Sequence, residues 1–419
     1  MTYPRLAWAL AAILPLAACT PSLSRPGSGS GAAAAPVAAP APKLLLISID
    51  GLRADALDRG ITPNLQRIID SGVRAKWMNP SYPSLTFPNH YTLVTGLRPD
   101  KHGIIHNSMD DEQLGTFKLS DRGTVTKPAW WGGEPIWVSA EQAGVRTATW
   151  SWPGSEAEVK GVRPSQWRPY DESVSFERRA SDVLAWLRQA GSDAPRLVTL
   201  YLEGVDKAGH HDGPQSAAYT AAIQRADAVI GQLLDGLQQS GLDATTNVIL
   251  VSDHGMATVA EGHVVATEDM ADPAIARTIS MGQSVGFEPM PGQRAAAERV
   301  LLGRHAQYAC WKKSDLPARW HYGSNPRIPA IVCQMDEGWD ALARATIAKR
   351  PQQDRGSHGY DNALPSMRAV FIARGPSFKQ GMVIDDFDNV DLYPLLARLL
   401  QVPAAPNDGD PQTLLKTLR

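Results

Sequence analysis

Residues 43–49 (KLLLISI) form a short apolar run with few polar breaks, the pattern of a parallel strand covered on both faces. The run stops at Asp50-Gly51. Thr62-Pro63 then opens a predicted helix through Ser71, with Thr as the cap and Pro at the first helical position. The alternation continues. Residues 135–143 read as helix and 146–150 as strand, then 197–202 as strand ending near Glu203, and 216–239 as a long amphipathic helix. A further strand at 247–251 ends at Ser252-Asp253. Such alternation predicts an α/β fold, a mostly parallel central sheet with helices on both faces.

From 256 to 357 the pattern loosens. Strands are predicted at 279–287, 309–312 and 328–334, with a helix over 293–302, and the segment reads as a small inserted α+β subdomain. The main sheet resumes at 368–373, and 390–400 is the closing helix. The predicted organisation is a catalytic domain of residues 43–255 and 358–403, interrupted by the insert at 256–357 and followed by a tail at 404–419.

One regularity changes the picture from architecture to chemistry. Asp50, Asp206 and Asp253 each fall at or just beyond the carboxyl end of a predicted strand, the edge where open α/β sheets bind ligands. Three carboxylates brought to one edge repel one another unless positive charge lies between them, and a metal centre is the economical source.

The first 42 residues have another character. Arg5 precedes an apolar run at 6–18 (LAWALAAILPLAA), shorter than the ~20 residues of a membrane span, so residues 1–18 read as a signal peptide. The run ends in Leu16-Ala17-Ala18-Cys19, which resembles a bacterial lipoprotein box, and by that resemblance Cys19 would carry the lipid. Ordinary secretion with cleavage after a small residue is the other reading. Residues 19–42, rich in Ala, Pro, Gly and Ser, read as a flexible tether. The expectation is an exported protein, in the periplasm or on the outer membrane, touching lipid only through its anchor. The formal net charge of −2 over 419 residues gives no general attraction to nucleic acid, so no stable nucleic-acid partner is expected and any phosphate affinity must be local. Cys310 and Cys333 are either buried free thiols or a disulfide, and export favours the disulfide.

Among the histidines, three stand in glycine-containing segments that let the backbone turn a side chain inward: His210 in Asp206-Lys207-Ala208-Gly209-His210, His254 after Asp253, and His358 in Gly356-Ser357-His358-Gly359. Aspartate with neutral histidine is a ligand set suited to zinc and, less exclusively, to manganese or iron. His90, His106, His211 and the remaining histidines read as caps, surface or packing residues. Each motif alone is weak. Together with Ile49-Asp50-Gly51 and Pro83-Ser84-Leu85-Thr86-Phe87-Pro88-Asn89-His90, in this order, the set resembles the nucleotide pyrophosphatase/phosphodiesterase family of the alkaline phosphatase superfamily over about residues 43–400.

That resemblance implies two zinc ions per chain, one on Asp206, His210 and His358, the other on Asp50, Asp253, His254 and Thr86. It implies Thr86 as the nucleophile, because metal coordination makes a threonine hydroxyl acidic enough to attack phosphorus. Thr86 would stand at a helix N-terminus, with the helix predicted over 89–95. Phe87 N–H and Asn107 would hold a phosphoryl oxygen, and Phe87 with Tyr170 would stack a nucleotide base. The implied substrate is a small nucleotide phosphodiester or pyrophosphate. Neutral or apolar residues flank Thr86, which favours diesters over the more highly charged monoesters, unless a cation such as Lys312 or Lys313 reaches in from the insert. Phospholipid-derived or phosphonate esters, and a monoesterase, are the alternatives.

Overall fold

The computed structural model describes residues 41–419, which form one compact unit; the proposed signal peptide, Cys19 and nearly all of the tether lie outside the described residues. Its centre is an eight-stranded sheet of β1 (Lys43–Ile49), β2 (Gly72–Ala75), β3 (Thr147–Trp150), β4 (Gln166–Arg168), β5 (Leu197–Leu202), β6 (Thr246–Val251), β7 (Phe371–Arg374) and β8 (Met382–Ile384), in the spatial order β8-β2-β7-β6-β1-β5-β3-β4. All neighbours are parallel except at β7, which runs antiparallel to both β6 and β2. The α/β class expected from the alternating pattern is the class observed.

The continuous apolar run of β1 has a direct structural reading. Leu44 and Leu46 point into one core and Leu45, Ile47 and Ile49 into the other, so both faces of the strand are buried. One face is covered by α1 (Pro63–Asp70), through Leu65 and Ile68. The opposite face is covered by α2 (Thr86–Thr95) and α3 (Ile136–Gln142), through Tyr91 and Trp137. Helix α4 (Phe176–Arg188) lies on the first face with Val183 and Leu187. After α5 (Gly204–Asp212), the long α6 (Ala217–Gln239) also packs on the first face with Ile223 and Ile230. The last helix, α7 (Leu392–Leu400), closes the other face with Leu396 and Leu400.

Several expectations are corrected. Thr62 precedes α1 but makes no side-chain capping bond; Asp227 on α6 instead accepts from Asn64 N at 3.0 Å and Leu65 N at 2.8 Å. A buried carboxylate from a distant helix satisfies the helix start better than the local hydroxyl. The predicted strand at 279–287 is two strands, Ala276–Ser280 and Ser284–Pro289, folded into an antiparallel hairpin. Gly282 sits in the turn at φ 111°, a conformation that favours glycine, and the lone glycine between Met281 and Gln283 is a weak turn signal. Helix α2 begins at Thr86, three residues earlier than expected, because Pro88 is tolerated in a first turn.

The hairpin belongs to a five-stranded antiparallel sheet within residues 276–335. Strands Tyr308–Lys312 and Ile331–Met335 pair there with Cys310 opposite Cys333, and the two are joined by a disulfide. Residues 404–419 are not a free tail. Asp408 accepts from Arg98 N at 3.0 Å, and its own N–H donates to Gly96 O at 2.8 Å.

The disulfide closes a loop of 23 residues, so replacing both cysteines by alanine should lower the unfolding free energy by about 3 kcal/mol on the chain-entropy argument. Denaturant titration of the oxidised protein and the double variant measures this. Equal midpoints would show that the bridge constrains nothing in the unfolded chain.

Candidate active site

The site is built where β1, β5 and β6 end. Asp50 follows β1 directly, Asp253 stands two residues beyond β6, and Asp206 lies in the first turn of α5 just after β5. Gly51 turns the chain at φ +67°, and a Cβ there would sit 3.1 Å from the Asp206 Cα and Cβ, so only glycine lets the two aspartates approach. Helix α5 carries His210 one turn beyond Asp206, on the same face. Strand Arg355–Ser357 lies so close to α5 that a Cβ on Gly356 would come within 2.4 Å of Gly209 O, and this contact delivers His358 beside His210. The corner between β5 and α5 is held by the buried Arg179 of α4, which donates to both Glu203 oxygens at 2.6 and 3.0 Å and to Tyr201 O at 3.2 Å.

All six predicted metal ligands meet. In the first group His210 Nε2 lies 3.5 Å from Asp206 Oδ1, His358 Nε2 lies 3.4 Å from the same oxygen, and the two Nε2 atoms are 3.0 Å apart. In the second, His254 Nε2 lies 2.9 Å from Asp253 Oδ2, 3.4 Å from Asp50 Oδ1 and 3.3 Å from Thr86 Oγ1. The groups adjoin, with the His254 and His358 rings stacked at 3.6 Å, and His254 is close enough to Asp206 and His358 to face the first group as well.

Protonation follows from the partners. His210, His254 and His358 place Nδ1 against backbone carbonyls of Gly356 (3.1 Å), Gly255 (2.8 Å) and Ser84 (2.9 Å), which can only accept. Each Nδ1 therefore carries the hydrogen and each Nε2 turns a lone pair into the cluster. Two lone pairs 3.0 Å apart, on His210 and His358, repel unless a cation lies against them. Carboxylate geometry repeats the demand. Tyr201 donates to Asp50 Oδ2 at 2.6 Å and Gly51 N donates to Asp253 Oδ1 at 3.2 Å. The opposite oxygens, Asp50 Oδ1 and Asp253 Oδ2, and also Asp206 Oδ1, are buried without a hydrogen-bond partner. Burial, then Asp253 and Asp206, push the Asp50 carboxyl well above its usual range. Burial, then His254 and His210, hold His358 well below its ordinary value. Burial works most strongly against charge on His254, yet Asp253, Asp206 and the Gly255 carbonyl together raise it above its ordinary value. Every group asks for positive charge at the same place, and the donor set fits divalent metal.

Thr86 heads α2 with its hydroxyl at this cluster. Phe87 N donates to Asn107 Oδ1 at 3.0 Å, bringing the two predicted phosphate contacts together. Thr86, Phe87, Asn107 and Tyr170 line a cavity of about 440 Å³ shared with Asp50, Asp206, His210 and His358.

Other residues of the site were not foreseen. His90, read as packing, is buried with its Nδ1–H donating to Thr86 O at 2.9 Å, and the same nitrogen lies 3.2 Å from Asp253 Oδ2 without a second hydrogen to give it; its position one helical turn beyond Thr86 was the available signal. Arg122, Glu156 and Lys207 also line the cavity. Arg122 pairs with Glu156, whose Oε1 accepts the Tyr170 N–H at 3.1 Å, and Lys207 pairs with Glu172. Lys207 lies inside the Asp206–His210 motif, whereas Arg122, at the start of the short helix Arg122–Val125, and Glu156, in a turn, have no motif to mark them. The cations suggested from the insert are engaged elsewhere: Lys312 pairs with Glu298 at 2.9 Å and Lys313 donates to Ile328 O. His211 is exposed and pairs with Asp212, as its surface reading anticipates.

Residues 44–361 match the family model described as type I phosphodiesterase/nucleotide pyrophosphatase. The chain belongs to the type I phosphodiesterase/nucleotide pyrophosphatase family. It is 37% identical over 379 residues to a pyrophosphatase/phosphodiesterase of Schizosaccharomyces pombe, covering 87% of this chain and 78% of that one. It is 37% identical to the venom phosphodiesterase of Macrovipera lebetinus over 87% of this chain, and to bovine ectonucleotide pyrophosphatase/phosphodiesterase family member 3 over 88%. The chain spans less than half the length of these two relatives, 44% and 43%. Among solved structures, murine ectonucleotide pyrophosphatase/phosphodiesterase 5, an inactive threonine-to-alanine variant in complex with AMP, superposes with a TM-score of 0.85 at 33% identity, over 90% of this chain and all of that one. The family consists of metal-dependent hydrolases, and this phosphodiesterase is one of them.

Two buried histidines of the phosphodiesterase fold predict its acid behaviour. His106 donates from Nε2 to Ser284 O at 3.1 Å and accepts from Ser108 N at 3.1 Å, fixing the loop that carries Asn107. Burial pushes His106 down to about 4 and His102 down to about 3. Because their unfolded value is near 6.5, the unfolded state gains protons first, and stability is complete above that pH and lost as pH falls toward 4. Each should cost about 2 kcal/mol between pH 6.5 and 5. Denaturant midpoints at pH 7 and 5 should differ less for His106→Gln than for the parent, and an equal difference would contradict the neutral buried state.

Proposed function

We propose that the protein is a two-zinc phosphodiesterase that hydrolyses nucleotide phosphodiester or pyrophosphate bonds to nucleoside monophosphates through a phosphoryl-threonine at Thr86. What carries the reading is the opposed Nε2 pair of His210 and His358 beside three unpartnered aspartate oxygens, within reach of one threonine hydroxyl in a cavity lined by aromatic rings. Asp206, His210 and His358 would hold one ion, and Asp50, Asp253, His254 and Thr86 the other. When bound, such ions supply Lewis acidity to the Thr86 hydroxyl and charge neutralisation to the departing oxygen.

The chain's own residues supply the remainder. Thr86 stands at a helix N-terminus, where the dipole favours the anionic phosphoryl group. His90 holds the threonine backbone in place and Tyr201 the Asp50 carboxylate, so little reorganisation accompanies reaction. Phe87 and Tyr170 line the cavity and would stack a base of any kind, and the AMP bound by the murine relative supports a small nucleotide as substrate. Asn107 and the Phe87 N–H, which hydrogen-bond to each other, would turn to a non-bridging oxygen. The accompanying proposal, that the protein is an exported bacterial lipoprotein anchored at Cys19, rests on the N-terminal sequence. No helix among the described residues is long and apolar enough to cross a membrane.

Thr86→Ala should lower kcat on a chromogenic nucleoside monophosphate ester by at least about a thousandfold while both zinc ions remain bound, since six protein ligands persist. Metal content and turnover of the purified variant check this together, and substantial residual turnover would sink the covalent route.

A second expectation concerns charge at phosphorus. Arg122 and Lys207 are each paired with a carboxylate, so neither offers a spare positive charge beside Thr86. Two divalent ions against three aspartates and one alkoxide leave no net charge for a dianionic ester. The enzyme should prefer a methyl aryl phosphodiester to the aryl monoester by about two decades or more in kcat/KM, each decade being ~1.4 kcal/mol of transition-state stabilisation. Comparable efficiencies would move the protein to the monoesterase branch.

A further inference from the structure

Among the six candidate metal ligands, His358 alone follows a strand outside the central sheet. That strand, Arg355–Ser357, is three residues long and pairs in a two-stranded ladder with Ala257–Val259. The ladder ends with Ser357 opposite Ala257, one residue short of His358, and Gly359 then turns the chain away at φ +101°. Ladder bonds therefore do not fix the backbone that carries the ring. Ser84 O orients the imidazole through Nδ1, and Ser84 Oγ donates to Tyr360 O at 3.0 Å on the far side of the turn. The near side needs a separate support.

That support comes from the five-stranded antiparallel sheet. Gln283 stands in the turn between strands Ala276–Ser280 and Ser284–Pro289, and its side chain is buried. Its Nε2 donates one hydrogen to Ser357 Oγ at 2.6 Å and the other to Asp340 Oδ1. Asp340 is buried and paired with Arg350, and a carboxylate so paired accepts without donating, which fixes the way the carboxamide faces. The amide oxygen then lies toward Gly359, where a Cβ would sit 3.3 Å from Gln283 Oε1. One side chain thus borders both chain neighbours of His358.

The turn that carries Gln283 is itself anchored. Gly282 and Ala341 exchange backbone hydrogen bonds of 2.8 and 2.9 Å, and Gln334 Nε2 donates to Gln283 O at 3.0 Å. Gln334 adjoins Cys333 of the disulfide. A long, flexible side chain gives up its rotamer freedom here to span two segments far apart in sequence. A ligand must be held to within about 0.5 Å to keep its coordination geometry, and this span fixes the residue from which His358 projects. We infer that Gln283 is a positioning residue for His358, holding Ser357 against Asp340 so that the His358 Nε2 stays opposed to that of His210. The inference rests on the two-zinc reading of the site and gives the antiparallel sheet a part in it.

The test is zinc titration of the metal-stripped, full-length protein against a chelating dye. The parent should bind two ions. Gln283→Met keeps the length of the side chain but removes both hydrogen bonds. It should weaken one of the two sites by about tenfold to a hundredfold and leave the other within about twofold. Ser357→Ala deletes only the hydroxyl that the carboxamide meets; it should weaken the same site, and it serves if Gln283→Met does not fold. Two unchanged affinities in a folded variant would overturn the role of Gln283. So would an equal fall in both, which marks a general loss of packing, and either result leaves the two-zinc reading standing. Fewer than two zinc ions on the parent protein would overturn that reading and the positioning role with it.

Discussion

Repulsion among like groups is the constraint on which this structure turns. Three aspartate oxygens and three imidazole lone pairs are pressed together in a buried edge where water is a poor competitor, and among the described residues no lysine or arginine contacts these oxygens. Such a cluster is stable only with positive charge at its centre. The surrounding fold is what keeps the groups from relaxing apart. Parallel strands ending side by side set the aspartate spacing, and carbonyls of Gly356, Gly255 and Ser84 lock the rings.

The two apolar cores make that rigidity possible. β1 is buried on both faces, so the chain leaving it at Asp50 has little freedom. Around this rigid edge, close approaches of backbone to backbone replace side-chain bulk. Gly51 brings Asp50 against Asp206, and Gly356 brings the His358 strand onto α5. A larger residue at either place would move a ligand by more than a coordination bond tolerates.

Much of this was legible in one dimension, because its causes are local. A strand buried on both faces must be apolar throughout, so β1, β5 and β6 announce themselves, and with them the edge that bears Asp50, Asp206 and Asp253. Glycine beside a histidine marks a chain that must turn inward, which is why His210, His254 and His358 could be chosen among ten. What tertiary structure alone decided has a common physical reason, pairing between residues far apart in sequence. Asp227 rather than Thr62 caps α1, His90 rather than solvent meets Asp253, and Arg122 finds Glu156 across a loop. The hairpin at 276–289 escaped because a single glycine between Met281 and Gln283 is a weak turn signal, and only the pairing of its two strands, with the second also pairing to 331–335, reveals it. Nor does sequence report a charge imbalance. Arg350, Arg355 and Asp340 look like ordinary neighbours along the chain, and only their packing brings two guanidinium groups to one buried carboxylate.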